Sequence, residues 1–133
     1  MHEEVRRMDP EAEFYTAEGC YINELSNSDA DPEASIARAR VRPGVTTRWH
    51  RLAGITERYV VLSGAGKVEV GNLAAQTVAP GDVVLIPPGC RQRITSLGDE
   101  DLIFLAICTP GFRPEAYEDM DINPVSTGPE TDS

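Results

Sequence analysis

The chain has no hydrophobic run long enough to cross a bilayer as a helix. Such a helix needs about 20 mostly apolar residues, whereas Gly, Pro and charged residues interrupt this sequence at much shorter intervals. The first residues, MHEEVRRMDPEAEFYTAEG, are charged and lack the apolar core of a secretory signal. We therefore expect a soluble, cytoplasmic protein that has no membrane partner.

Cysteine is scarce, and acidic residues outnumber basic ones. Cys20, Cys90 and Cys108 form no C-x-x-C pair, which argues against a disulfide framework or a thiolate zinc site and predicts reduced thiols. The net charge is −10, and no basic cluster is flanked by aromatic residues. Because such a charge repels polyanions, we expect no nucleic-acid partner.

Glycine and proline, in contrast, recur at short intervals and divide the middle of the chain into segments of strand length. These segments are rich in Val, Ile, Thr and Leu, and several alternate apolar with polar residues, which is typical of strands. The predicted strands are 35–42, 46–52, 57–62, 67–70, 82–86, 91–95 and 102–108. Many short strands in a chain of 133 residues predict a single all-β domain, either a sandwich, a barrel or a jelly roll.

The two ends of the chain differ from the middle, because much of the acidic charge lies there. Residues 1–34 are predicted to form an N-terminal arm, with a helix near Glu3–Glu13 and an additional strand at Phe14–Leu25 that could pair with a neighbouring subunit. Residues 113–133 are predicted to form a short helix or turn near Pro114–Asp119, followed by a disordered tail from about Asn123. The central domain is then 35–112.

Two sequence blocks carry a family resemblance. They are Gly44-VTTRW-His50-RLAGIT-Glu57-RYVVLS-Gly64 and Gly81-DVVLI-Pro87-P-Gly89-CR-Gln92-RIT-Ser96. In spacing and residue type they resemble the two motifs of the cupin superfamily. The resemblance implies a double-stranded β-helix, or jelly-roll barrel, with a short N-terminal arm and a C-terminal tail. It also implies a homodimer, for which the segment Phe14–Leu25 is available as an exchanged strand.

The resemblance also implies a metal site. In cupins three His and one Glu hold a divalent metal inside the barrel, and here His50 and Glu57 match two of the four ligands. Leu52 stands at the position of the second His, Gln92 at the third, and Ser96 replaces an Asn. An imidazole, a carboxylate and the Gln92 amide oxygen form a mixed N/O set suited to Fe, Mn, Ni, Cu or Zn. Gln is the weaker ligand, so we expect weaker binding than in a site with three His.

Two functions follow from these residues. The first is a metal-dependent enzyme that acts on a small polar or anionic metabolite, with Glu57 or Tyr59 transferring a proton. The run Thr56-Glu57-RYVVLSGAGKVEV is similar to the cupin domain of mannose-6-phosphate isomerases, and a dioxygenase is another option. In the second function His50, Glu57 and Gln92 form a hydrogen-bonded cluster that binds an organic ligand without catalysis.

Several arginines are candidates for contact with an anion. Arg48 shares strand parity with His50, so it is predicted to face the pocket and to bind an anionic cofactor or ligand, with an exposed position at the barrel mouth as the alternative. Arg38, Arg40 and Arg42 alternate with small apolar residues, which places them either on an anion-binding wall or, as we favour, on the outer face. Cys108 and Phe104, on the last core strand, either reach the pocket or pack in the core.

Overall fold

The computed structural model describes residues 1–121, and their regular structure is almost entirely β. The strands are β1 (Phe14–Tyr15), β2 (Tyr21–Ser26), β3 (Ser35–Val41), β4 (His50–Leu52), β5 (Thr56–Ser63), β6 (Ala65–Val70), β7 (Gln76–Val78), β8 (Val83–Ile86), β9 (Gln92–Leu97), β10 (Leu102–Thr109) and β11 (Tyr117–Asp119). Two three-residue 3-10 turns, Pro10–Ala12 and Pro114–Ala116, complete them. In this part of the chain no helix has the length that a bilayer requires.

The strands form two antiparallel sheets. One sheet has the order β1-β2-β3-β10-β5-β8 and the other the order β11-β4-β9-β6-β7. Non-consecutive neighbours such as β3, β10 and β5 are typical of a jelly roll, in which the chain crosses between two sheets. The predicted all-β jelly-roll class is confirmed.

Strict alternation along the central strands creates the interior. On β5, Glu57, Tyr59 and Val61 are buried, and the residues between them face outward. On β10, which pairs with both β3 and β5, Leu102, Phe104, Ala106 and Cys108 are buried in the same way. Because β-strand side chains alternate between faces, this pattern brings polar Glu57 to the interior together with apolar neighbours.

The predicted strand 46–52 is shorter than expected, and β7 was not predicted. Regular pairing covers only β4, while Thr46 forms an isolated bridge to Thr95. Thr47 and His50 are both buried although they are three residues apart, so the two-residue alternation is interrupted between them.

The N-terminal arm packs against its own barrel. β2 pairs with β3 of the same chain, and β1 pairs with β2. The helix predicted over Glu3–Glu13 is reduced to the turn Pro10–Ala12, because the chain enters β1 at Phe14 directly afterwards. The predicted tail from Asn123 lies outside the described residues.

Arg38 and Arg40 lie on the outer face of β3, as the favoured interpretation requires, and Arg42 follows the strand. Arg40 forms ion pairs with Glu13 at 2.6 Å and with Asp101 at 3.0 Å, and Arg38 contacts Glu13 at 3.5 Å. These contacts fasten the arm to the outside of the six-stranded sheet. They leave the inner face of β3 to Ala39 and Val41, which are buried in the core.

Candidate functional site

A cavity of about 320 Å³ lies between the two sheets. Its size is at the lower end of the range for small-molecule sites. The polar side chains on its wall are mainly Thr16, Glu18, Cys20, Glu24, Asn27, Ser35, Thr47, His50, Glu57, Tyr59, Cys108 and Tyr117. The remaining wall is apolar and comes largely from Phe14, Ala17, Ile22, Ile36, Ala37, Ala39, Leu52, Ile94, Phe104, Ala106, Phe112 and Pro114. Both ends of the described chain therefore contribute to the cavity, as well as the barrel.

One polar cluster joins β5 to β9. The Tyr59 hydroxyl donates to Gln92 Oε1 at 2.5 Å, and Gln92 Nε2 donates to Glu57 Oε1 at 2.8 Å. Gln92 is only 1% exposed and does not belong to the cavity wall, whereas Glu57 and Tyr59 do. The Gln92 amide therefore lies behind the cavity wall, where it fixes the positions of Glu57 and Tyr59, which face the cavity.

A second cluster surrounds His50. Its Nε2 lies 3.0 Å from Glu18 Oε1, and its Nδ1 lies 2.9 Å from the carbonyl oxygen of Arg48. The backbone N–H of Arg48 in turn donates to the carbonyl of Glu18 at 2.9 Å. His50 is 2% exposed, and the Tyr117 ring stacks on it with centroids 5.1 Å apart. Both ring nitrogens thus have acceptors as partners, which favours the doubly protonated imidazolium.

The electrostatics of this pair agree with its geometry. Burial alone would lower the pKa of His50, but the charge and hydrogen bond of Glu18 outweigh burial and raise that pKa to about 9. Burial alone would likewise raise the pKa of Glu18, but His50 holds it below its usual value. At neutral pH the two residues form an ion pair between a buried imidazolium and a partly buried carboxylate.

Glu57 has the opposite character. Burial, together with the negative charge of Glu18, raises its pKa to about 7. Burial also raises the pKa of Tyr59 well above its ordinary value, and that of the Cys108 thiol to about 12. Near neutral pH Glu57 is therefore the group of these three that can exchange a proton, while the phenol and the thiol remain protonated.

The family can be assigned from the sequence. The family model described as a cupin domain matches residues 37–108, more than half of the chain and both motif blocks. The chain belongs to the cupin family. Its two-sheet architecture and interior cavity are those of a cupin barrel, with the arm and the C-terminal turn added at the ends.

Solved structures with the same fold include several enzymes. The nucleoside dehydratase Pac13 superimposes with a TM-score of 0.73 at 18% identity, covering 96% of this cupin and 100% of that chain. A variant of Streptomyces PAC13 with uridine gives 0.74 at 18% identity, covering 98% and 100%. A Klebsiella pneumoniae protein with a double-stranded β-helix domain gives 0.71 at 18% identity, covering 87% and 97%. Oxalate decarboxylase from Bacillus subtilis gives 0.73 at 19% identity, covering 90% of this cupin and 33% of that chain. No curated protein matches the sequence.

The residues that correspond to the cupin metal ligands do not present a free ligand set. The Nε2 of His50 faces Glu18, its Nδ1 faces a backbone carbonyl, and Gln92 Oε1 accepts from Tyr59. A metal ligand needs an unprotonated ring nitrogen, which this arrangement does not offer. Across residues 1–121, no three His, Cys, Asp or Glu side chains are grouped so that they could hold a metal ion. The observed contacts therefore do not fit the metal expected from the motifs.

Arg48 does not reach the cavity, contrary to the sequence prediction. Its Nε donates to Asp119 at 2.9 Å, and Arg48 is absent from the cavity wall. The prediction assumed that strand parity extends from His50 back to Arg48, but β4 begins only at His50. Cys108 does line the cavity and Cys90 does not.

Glu18 and Tyr117 were not identified from the sequence. Glu18 lies in a charged arm that reads as solvated, and Tyr117 lies in a segment predicted as a short helix or turn. The turn between β1 and β2 carries Glu18 to His50, and the pairing of β11 with β4 carries Tyr117 there. Neither contact leaves a local pattern in the sequence, since both depend on long-range packing.

Proposed function

We propose that this cupin is an enzyme that moves protons on a small organic molecule in the barrel cavity, and that it does so without a metal ion. The double hydrogen bond of His50, to Glu18 and to the Arg48 carbonyl, carries the proposal. A ring held between two acceptors supplies a fixed positive charge and has no free nitrogen for a metal. Glu57 lies on the same wall and supplies the exchangeable proton.

The proposed step begins when the Glu57 carboxylate takes a proton from a carbon beside a carbonyl group. The electron pair of the C–H bond moves toward the carbonyl oxygen, and the imidazolium end of the Glu18–His50 pair, which is neutral as a whole, stabilises the negative charge that develops there. If the deprotonated carbon carries a hydroxyl group, the proton of that hydroxyl passes to the former carbonyl oxygen, Glu57 returns its proton to the former carbonyl carbon, and the result is an isomerisation. If the electron pair expels a neighbouring hydroxyl, Glu57 gives that hydroxyl the proton and water leaves. Neither outcome needs an oxidant or a reductant.

The names of the similar structures support an enzyme over a passive binder. One is named a nucleoside dehydratase and another an oxalate decarboxylase, so this fold carries out chemistry on small molecules in both. At 18% and 19% identity these names give no substrate for the present chain.

A metal-dependent enzyme is the second candidate, and the motif positions of His50 and Glu57 on the cavity wall favour it. A divalent Fe, Mn, Ni, Cu or Zn ion at His50, Glu57 and Gln92 would require His50 to leave Glu18 and Gln92 to leave Tyr59. If the exchange of these partners were favourable, the purified protein would take up about one metal ion per chain after reconstitution.

Solvent deuterium exchange separates the candidates. The protein, treated with a chelator, is incubated in D₂O with a panel of small ketones, aldehydes and β-hydroxy carbonyl compounds, and C–H exchange is followed by NMR. We expect exchange that chelation does not change and that Glu57→Gln reduces by about 100-fold or more. Glu100→Gln, at an exposed carboxylate, serves as the matched control and should have no effect.

Two results would contradict the metal-free proposal. Exchange that is lost on chelation and restored by one of the five metals would establish the metal-dependent candidate. Binding of a panel compound without any exchange would instead identify a non-catalytic binder.

A further inference from the structure

The charges on the cavity wall are of one predominant sign. Glu18, Glu24 and Glu57 line the cavity, and within residues 1–121 His50 is the one basic side chain there. Of the residues that line it within 1–121, none is Lys or Arg. Residues 122–133, INPVSTGPETDS, contain neither residue type, so the rest of the chain cannot supply one.

The only cationic group on the wall is already paired. His50 lies 3.0 Å from Glu18 Oε1, so its charge is compensated within the protein. The two arginines nearest to His50 in sequence are also paired, Arg51 with Glu118 at 2.7 Å and Arg48 with Asp119 at 2.9 Å. A phosphate or carboxylate group inside the cavity would therefore lie near Glu57 and the Glu18–His50 pair. Its negative charge would find no unpaired cation on the wall that residues 1–121 form.

Glu18 and Glu57 each retain an oxygen that, among the contacts within residues 1–121, faces only a weak donor. Glu57 Oε1 accepts from the Gln92 amide at 2.8 Å, but Oε2 has only the Cys108 thiol, at 3.8 Å. Glu18 Oε1 is engaged by His50, whereas Oε2 has only the Cys20 thiol, at 3.6 Å. Thiols are weak hydrogen-bond donors, so these oxygens can accept stronger hydrogen bonds from a ligand.

The rest of the wall is apolar and partly aromatic. Phe14, Ile22 and Ile36 belong to strands β1 to β3, Phe104 lies on β10, and Phe112 lies just after it. A ligand that fills the cavity therefore needs an apolar body as well as hydrogen-bond donors.

We infer that the cavity takes a small molecule that carries no negative charge, with hydroxyl or amine donors directed at Glu18 and Glu57 and an apolar body against the aromatic wall. This inference rests on the proposed function only in using the same cavity. The sequence predicted a small polar or anionic metabolite, and this inference limits the ligand to uncharged and cationic molecules. The net charge of −10 acts in the same direction, because it repels anions before they reach the barrel.

The test compares three probes with one body and different head groups, namely 3-phenylpropan-1-ol, 3-phenylpropan-1-amine and 3-phenylpropanoate. Binding to the full chain at pH 8 is measured by isothermal titration calorimetry. We expect the alcohol and the amine to bind at least about tenfold more tightly than the carboxylate, as like charges a few ångströms apart inside a protein require. Glu57→Gln should narrow the difference between alcohol and carboxylate and weaken the amine, while Glu100→Gln should leave all three affinities unchanged.

Tightest binding of the carboxylate would overturn the inference, and so would the failure of all three probes to bind, because the shared phenyl body fits the apolar wall. The affinities of the three probes do not depend on whether the protein transfers protons. A preference for uncharged and cationic probes without any deuterium exchange would leave the ligand class intact and refute the proposed enzyme, and exchange with an anionic preference would do the reverse.

Discussion

At the scale of single residues, two substitutions in the cupin motifs explain the state of His50. Leu52 and Gln92 stand where further imidazoles would be expected, and Leu52 packs in an apolar cluster with Ile55 and Cys108. Several imidazoles that face one another cannot all be protonated, since like charges lower one another's pKa. With the other two absent, one imidazole can remain charged beside Glu18. The changes that remove a metal ligand set thus create a stable ion pair.

The pH dependence of the free energy of unfolding follows from the shifted pKa values of His50, Glu57 and Glu18. The pKa of His50 is raised from 6.5 to about 9, so its contribution is fully present below pH 6.5 and is lost as pH rises through 9. Glu57, raised from 4.5 to about 7, is stabilised in its neutral form, and that contribution is lost as pH rises toward 7. Glu18, whose pKa is lowered, adds stability above pH 4.5 that is lost in acid. We expect the free energy of unfolding to fall by about 1–3 kcal/mol between about pH 5 and 9.

Glu18→Gln tests the cause of this dependence. Without the Glu18 charge the pKa of His50 should fall below 6.5, because burial then dominates, and the loss of stability above pH 7 should disappear. Denaturant unfolding measures the stability, and NMR titration measures the pKa, since His2 is the only other imidazole in the chain. A His50 pKa that stays near 9 in the variant would refute the ion pair.

The spacing of the two motifs predicted three residues that do line the cavity. His50, Glu57 and Tyr59 do line the cavity, because each lies on a strand whose alternation is regular from that residue onward. Gln92 lies one layer behind the wall. Motif spacing does not reveal this, since an inward side chain contacts a cavity in some positions and a neighbouring side chain in others. Glu18, expected in a solvated arm, lines the cavity, whereas Arg48, expected in the pocket, lies outside it. The causes are the irregular backbone at 46–49 and the arm, which folds back on the barrel.

At the scale of elements, strand prediction succeeded where burial alternates and failed where it does not. Strands β5 and β10 alternate over eight residues each and were predicted within one or two residues of their ends. Strand β7, at Gln76–Val78, has two exposed residues and one buried residue, which is too short for a periodic pattern. The segment Phe14–Leu25 was predicted as one strand, but a turn at residues 16–20 divides it into β1 and β2 and places Glu18 at the site.

The junction between β5 and β6 depends on a glycine. Gly64 has φ +81°, and a Cβ there would lie against the carbonyl oxygen of Asp101 and 2.9 Å from Leu102 Cα. These are backbone atoms at the start of β10 and cannot move aside easily. We expect Gly64→Ala to lower the free energy of unfolding by about 3 kcal/mol or more, through backbone strain and steric overlap together.

Gly44 provides the matched control for this prediction. Its φ is +80°, nearly equal to that of Gly64, but a Cβ there would meet nothing within 4 Å. Gly44→Ala should therefore cost only the backbone strain, about 1 kcal/mol. Urea unfolding of both variants measures the difference, and equal losses of stability would show that the close approach at β10 is not limiting.

At the scale of the whole molecule, the outer face of the six-stranded sheet carries an apolar patch formed by β5, β8 and β10. Leu62 on β5 is 46% exposed, and Val83 and Leu85 on β8 are 55% and 69% exposed. Further along the same face, Val60, Ile103, Leu105 and Ile107 are half-buried. β8 is also an end strand, so one edge of its backbone has no partner strand within residues 1–121. Exposed apolar patches on an open edge mark interaction surfaces.

The homodimer expected from the family resemblance remains a prediction, and this face indicates where it would form. β2 already pairs with β3 of its own chain, so strand exchange is not needed to complete the sheet. Two copies related by a two-fold axis can instead bring β8 against β8, which pairs both open edges and places Val83 and Leu85 of one copy beside those of the other.

Leu85→Lys tests this arrangement, because it places two ammonium groups close to the two-fold axis and removes an apolar contact. We expect light scattering coupled to size exclusion to report a dimer for the unmodified chain at micromolar concentration and a monomer for the variant. Leu73→Lys is the matched control, since Leu73 is 65% exposed in the turn after β6 and lies outside the apolar face. It should stay dimeric. A monomeric unmodified chain would refute the dimer, and a dimeric Leu85→Lys variant would move the interface away from β8.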